Sequence, residues 1–184
     1  VLAAGSGLRQ GEAFGLTVDR VDFLRRTVKV DRQLVLNGQG APRFGPPKTD
    51  KSHRTVPVPA LVTDALSAHL ATYGSGDDGL IFSNDDGGPI RRTRFSEAWR
   101  PVAKAVGLES GVGMHALRHF YASALIRHGE SVKVVQSRLG HKSASETLDT
   151  YSHLWPDSED QTRAAVEAAF AGLDQQGSVR ITAT

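Results

Sequence analysis

The stretch Met114-His115-Ala116-Leu117-Arg118-His119-Phe120-Tyr121-Ala122-Ser123-Ala124-Leu125-Ile126 decides how this chain is read. Met114, Leu117, Tyr121, Ala124 and Leu125 recur at helical spacing, which predicts a core helix here. At ~100° per residue, His115 and Arg118 fall one turn apart, on the side turned away from that apolar stripe. An imidazole and a guanidinium are therefore expected together, facing something other than the core. Alone, an H-x-x-R on a helix is most often a structural histidine beside an exposed arginine. Its meaning depends on what the rest of the chain brings to it.

Downstream, the helix closes near His128-Gly129, a glycine stop. Glu130–Leu139 reads as a second short helix closed by Gly140, so His141 falls at a helix terminus. Ser143–Trp155 is helical, with Tyr151 between Leu148 and Trp155; on the residues alone Tyr151 is either core packing or a chemical group. Pro156 opens a last helix through Leu173, and 174–184 reads as a flexible tail.

Upstream, Arg91–Val106 is a helix with Phe95, Trp99, Val102 and Val106 on one stripe. Arg91, Arg92 and Arg94 at its start oppose the helix dipole, an arrangement suited to a nearby phosphate backbone. Pro59–Tyr73 is a further helix, followed by a short buried run at Leu80–Phe82 and a turn cluster at Asn84–Pro89. Val18–Phe23, Thr27–Leu36 and Arg54–Val58 read as strands, the last at a sheet edge because of Pro57. The turn before it carries Lys48, Lys51, His53 and Arg54. Near the start, Val1–Ala4 ends a helix, Gly5-Ser6-Gly7 breaks it, and Ala13–Leu16 is a short helix. Arg9 and Glu12 stand three apart: the carboxylate either orients the guanidinium or forms a surface pair worth ~0–1 kcal/mol. The fold class is α+β, mainly α, with a small antiparallel sheet at one edge.

Length and composition set the bounds. At 184 residues the chain suits one domain with a full core, over 1–173, and a tail. With no cysteine, disulfides and thiolate metal sites are excluded. No apolar run approaches the ~18 residues of a membrane span. A first residue Val1, inside an apolar segment, suggests a piece of a longer protein. The net charge of +2 hides a pattern. Residues 1–60 hold ten Lys/Arg against five Asp/Glu, 61–90 none against five, 91–142 ten against three, and 143–184 two against seven. If the two basic segments converge they form a footprint for a polyanion; otherwise they are solvated faces.

Several of these stretches together resemble the catalytic domain of tyrosine recombinases, the phage integrase family. They are Gly7-Leu-Arg9 with Glu12, Pro47-Lys-Thr49 followed by Arg54-Thr-Val-Pro57, His115-x-x-Arg118, Leu139-Gly-His141 and Thr150-Tyr-Ser-His153. They keep the family's order over roughly residues 1–155. The resemblance implies a helical DNA breaking-rejoining domain whose site is Arg9, Lys48, His115, Arg118, His141 and Tyr151, with Glu12 orienting Arg9. In that site Tyr151 is the nucleophile forming a 3′-phosphotyrosine. Arg9 and Arg118 clamp the non-bridging oxygens, Lys48 is the general acid, and His115 is the candidate base. His141 donates a hydrogen bond to a phosphate oxygen.

Lys51 is the alternative to Lys48 on the same turn. His119 and His153 are expected to be structural or to support the site residues from behind, and His53, His69 and His128 to lie on the surface. The resemblance implies neither metal nor other cofactor. It implies site-specific cutting and rejoining in phage or mobile-element integration and excision. The partners it implies are double-stranded DNA with specific sites, a homotetramer of the full-length protein, and an accessory directionality factor. It further implies a bacterial, cytoplasmic, nucleoid-associated setting. An N-terminal DNA-clamping domain usual in the family does not precede Val1, and the 156–173 helix is a candidate for packing on a neighbouring protomer. The alternatives are a type IB topoisomerase, which shares the chemistry, and a DNA-binding relative without catalysis.

Overall fold

The computed structural model describes residues 1–36, 40–155 and 159–174. The chain divides into two compact units, Val1–Leu154 and residues 155–184. The described part of the second is a helix, Glu159–Asp174, where Arg163 pairs with Glu159 at 2.9 Å and Asp160 at 2.6 Å. The expected start of that helix at 156–158, and the expected tail beyond Asp174, lie outside the described residues.

The first unit begins with α1 (Leu2–Ser6) and α2 (Gln10–Phe14). Gly5 does not break α1 as expected; the helix stops at Gly7, whose φ of 64° is the left-handed cap. A Cβ on Gly7 would lie 2.4 Å from the Tyr121 ring, so only glycine brings this turn against the next layer. α2 starts three residues earlier than its apolar residues suggest, because the Glu12 carboxylate accepts from the Arg9 backbone N–H and nucleates the first turn.

β1 (Val21–Asp22), β2 (Thr27–Val30) and β5 (Arg54–Pro57) form an antiparallel sheet in the order β1-β2-β5. Val28 faces Val21 and Val56 in register, and Val28 and Val56 are fully buried. β5 lies at the edge, as Pro57 requires. Two expected strands are corrected. Val18–Arg20 is a 3-10 turn, and Thr27–Leu36 is not continuous. The chain leaves β2 at Asp31 and re-forms as β3 (Gln33–Val35), which pairs with β4 (Arg43–Gly45) in a second small sheet. Side chains at the break are tied back to the 3-10 turn: Asp31 accepts from Arg20 Nε at 2.9 Å, and Arg32 donates to Thr17 and packs on the Phe44 ring.

α3 (Ala60–Tyr73), α4 (Arg92–Ala105), α5 (Met114–Arg127), α6 (Val132–Leu139) and α7 (Ala144–Tyr151) complete the unit. α1 packs along α5, and α6 touches α5, α7 and β5. The core between them holds Leu8, Val62, Leu80, Ile81, Ile126, Val135 and Leu139. α7 stops at Tyr151 and passes into a 3-10 turn, Ser152–Leu154, rather than running to Trp155. On α4 the inward row is Phe95, Trp99 and Ala103, one turn apart; Val102 and Val106 are exposed, against expectation. Phe95 also packs on Phe14 at 5.1 Å, and Trp99 Nε1 donates to the Val112 carbonyl. His69 is not on the surface: half-buried, its Nε2 meets the Ile81 carbonyl at 2.9 Å and its ring packs on Phe82.

Candidate active site

The turn from α6 to α7 is the meeting point. A helix ends with carbonyls that have no partner of their own, at the negative pole of its dipole. Here three successive carbonyls each receive an arginine. Arg54 Nε donates to Arg138 at 2.8 Å, Arg118 Nη2 to Leu139 at 2.6 Å, and Arg9 Nη2 to Gly140 at 3.0 Å. Gly140 makes the turn with φ 65°, and a Cβ there would meet Arg54 Nη1 at 2.9 Å.

Arg118 corrects the expectation that it faces away from the core. It is 4% exposed and shares its buried face with Tyr121, Ala122 and Ile126. It is tolerated there because both ends of its fork are bonded, Nη1 to the Gly7 carbonyl at 2.6 Å and Nη2 to Leu139. Burial and the neighbouring Arg9 charge bring its pKa down to about 10, so it remains a cation at neutral pH.

Glu12 is buried and does more than orient Arg9. It accepts from Arg9 Nη1 at 3.1 Å and from both terminal nitrogens of Arg54, at 3.0 and 2.8 Å. Burial raises its pKa, but the hydrogen bonds and charge of Arg54, with those of Arg9, outweigh it and hold the carboxyl below its usual range. Arg9 also donates to Ser52 Oγ at 3.4 Å, and Ser52 meets Thr49 Oγ1 at 3.0 Å. The loop bearing Lys48 is thereby tied to the cluster, although Lys48 itself is exposed, as is Lys51.

His141 follows the turn and is buried, its Nδ1 2.9 Å from Thr147 Oγ1 on α7. Burial and the Arg118 charge lower its pKa to about 4, so the imidazole is neutral at pH 7. Tyr151, at the end of α7, is buried, and its hydroxyl lies 2.8 Å from Nδ1 of His119. Burial raises the phenol's pKa; burial and the His115 charge lower that of His119. A protonated phenol and a neutral imidazole therefore share this hydrogen bond. His115 is exposed and packs edge-on against His119, with centroids 4.4 Å apart.

The structure thus joins Arg9, Glu12, Arg118 and His141 around one turn and docks Tyr151 beside them on His119. It leaves Lys48 and His115 exposed. Arg54, Thr147 and His119 carry contacts that the sequence reading did not assign. Arg54 had a signal in its Arg-Thr-Val-Pro stretch; the other two had none beyond a helical turn of spacing.

Beside the cluster lies a cleft of about 1010 Å³. Arg9, Arg92, Arg100, Lys104, His115 and Arg118 line it, and Glu109 supplies the one carboxylate among the described lining residues. The second basic segment of the sequence supplies most of this charge, and among the described residues Arg9 alone joins it from the first. Among the described residues, no group of three or more His, Asp or Glu is placed to hold a metal ion, and no helix is long and apolar enough to cross a membrane.

Residues 1–157 match the model of the phage integrase family. A tyrosine recombinase XerC-like protein of Caldanaerobacter subterraneus subsp. tengcongensis is 29% identical over 176 residues, covering 85% of this chain and 45% of that protein. A tyrosine recombinase XerD of Mycobacterium leprae is 34% identical over 155 residues, covering 79% and 44%. The chain thus spans less than half the length of these relatives. The Tn1549 transposon integrase, solved in complex with transposon right end DNA, superposes with a TM-score of 0.76 at 25% identity, covering 91% of this chain and 56% of that one. The catalytic domain of bacteriophage HP1 integrase shares the fold, with a TM-score of 0.55 at 22% identity over 90% and 77%. A family match over most of the chain, on a fold that gathers arginines, histidine and a docked tyrosine beside a basic cleft, places this chain in the phage integrase family of tyrosine recombinases.

Proposed function

We propose that this domain cuts and rejoins double-stranded DNA at specific sites through Tyr151, in the integration or excision of a phage or mobile element. The observation that carries the reading is a buried tyrosine hydroxyl, docked on a neutral imidazole, within the field of Arg118. Its Oη attacks the scissile phosphorus, forming a 3′-phosphotyrosine as the bond to the 5′ oxygen breaks. The phenolic proton goes to His119 as nearest acceptor, with His115 edge-on beside it as the second. The departing 5′ oxygen takes a proton from Lys48, reaching in from its loop. Because the phosphodiester energy stays in the covalent bond, rejoining is the reverse displacement and needs no energy cofactor.

Negative charge grows on the non-bridging oxygens in the transition state. Arg9 and Arg118 supply donors for them, and both are held in place before DNA arrives. In the tautomer whose Nδ1 accepts from Thr147, His141 carries its proton on Nε2 and becomes a third donor. The basic cleft takes the flanking backbone, a contribution that weakens as salt rises. A homotetramer on two DNA sites, an accessory directionality factor and a bacterial nucleoid setting follow from the same reading by likeness to the family, and the helix of the second unit is offered as its protomer contact.

The test is a nicked suicide duplex carrying the cognate site, incubated with the full-length protein. A covalent protein–DNA band is expected, and it must vanish in Tyr151→Phe. The same band persisting in that variant would sink the reading. Relaxation of arbitrary supercoiled plasmid by a monomer would move the assignment to a topoisomerase.

A further inference from the structure

We propose that Arg54 is a positioning residue for the catalytic arginine Arg9, acting through Glu12 and the α6–α7 turn; this rests on the DNA-cleavage reading above. Arg54 does not line the cleft, so it is not a phosphate ligand in waiting. Its side chain is 5% exposed and every terminal nitrogen is committed. Both terminal nitrogens fork onto Glu12, Nη1 also donates to the Ser52 carbonyl at 2.9 Å, and Nε donates to Arg138.

Two of those acceptors belong to residues that hold Arg9, and the third lies on the turn that does. Glu12 Oε1 receives Arg9 Nη1 and Arg54 Nη1 together; Ser52 gives its hydroxyl to Arg9 and its carbonyl to Arg54. Arg138 stands two residues before Gly140, whose carbonyl receives Arg9 Nη2. One planar fork thus holds two anchors of Arg9, Glu12 and Ser52, directly, and the third, Gly140, through the turn that the Arg138 carbonyl begins. Arginine is required rather than lysine, because a point ammonium cannot bridge a carboxylate edge and two carbonyls at once. With Arg54 removed, a buried carboxylate keeps one cationic partner instead of two, and the side chain it aims loses its reference.

Outer-shell partners that aim a catalytic group are commonly worth about 10–100-fold in activity, as known for metal ligands. Two measurements separate positioning from plain stability. The first uses the 184-residue chain with ¹⁵N-labelled arginine, following the Arg9 guanidinium signals, assigned by their loss in Arg9→Lys. Wild type is expected to show separate, slowly averaging Nη resonances, and Arg54→Met to merge them. The second uses the full-length protein on the nicked suicide duplex. Arg54→Met and Arg54→Lys are expected to slow covalent-band formation about 10–100-fold while DNA affinity changes less than about threefold. Combination with Arg9→Ala is expected to add nothing further.

Where Arg54→Met does not fold, Arg54→Lys carries both measurements. Unchanged Arg9 resonances in a folded variant overturn the proposal. So does a rate loss that adds in full to that of Arg9→Ala. If wild type forms no Tyr151-dependent band, the cleavage reading falls, and the resonance measurement still decides whether Arg54 positions Arg9.

Discussion

The hydroxyl of Tyr151 is bonded to His119, at 2.8 Å, and not to His115 one turn earlier on the same helix. Burial disfavours ionisation of the phenol and also keeps His119 neutral, so at neutral pH two uncharged groups share the bond. His119→Phe keeps a ring in place and removes the acceptor. It is expected to slow single-turnover adduct formation by about 10²-fold, within the range for general base catalysis. His115→Phe is expected to cost less than tenfold. The reverse order would assign the proton to His115.

The same relationship sets a pH dependence. The His119 pKa lies below the ordinary imidazole value, so the acceptor is present at neutral pH and is lost as pH falls through that lowered pKa. Adduct rates on the suicide duplex should hold steady from pH 8 towards 6.5 and fall below it. A fall that begins above pH 7 contradicts a lowered His119.

Arg118→Met leaves the Gly7 and Leu139 carbonyls without their donor in the core. Each orphaned acceptor costs about 1–3 kcal/mol, so urea unfolding should show a loss of roughly 2–5 kcal/mol. If Arg118 is a transition-state donor as proposed, its loss should independently lower the adduct rate about 10²–10³-fold in the protein that remains folded.

Acid should loosen the same cluster in two steps. His141 has a folded pKa of about 4 against an ordinary 6.5. Between those values the unfolded chain binds the extra proton, so stability falls as pH is lowered through that window, by up to about 1.4 kcal/mol per pH unit. Glu12, held below its usual range, contributes stability that is complete above pH 4.5 and is lost as pH drops through its folded value. Urea midpoints from pH 8 to 4 measure the first step; His141→Asn should flatten it.

Gly7→Ala tests the packing that carries Arg118's first acceptor. The left-handed φ costs about 1–2 kcal/mol for a residue with a Cβ, and the contact with Tyr121 adds overpacking of about 1–3 kcal/mol. A drop in Tm of about 5–15 °C is expected for a domain of this size.

Much of this was open to reading from the chain itself. Apolar spacing located the five longer helices of the first unit, and Pro57 marked the edge of a sheet. The break at Asp31–Arg32 was hidden because nothing local causes it: both side chains answer to Thr17, Asp19 and Arg20, more than ten residues earlier. Arg118 was turned the wrong way for a related reason. A charged residue is assigned outward unless its partners are known, and here they are carbonyls 111 and 21 residues distant. Motif resemblance named Arg9 and Glu12, yet it gave no sign that Arg54 shares the carboxylate. The spacing leaves His119 open between a structural and a supporting role, since only the fold sets Tyr151 against it.

Three arginines ending on three neighbouring carbonyls have a consequence for how the domain comes apart. Arg9, Arg54 and Arg118 arrive from three distant stretches of chain, and like charges do not gather unaided. Glu12 offsets part of that repulsion for Arg9 and Arg54, and the end of α6 supplies an acceptor to each of the three. A chain in which α6 has melted therefore loses the carbonyls that hold the three guanidiniums together, and the cluster disperses with them.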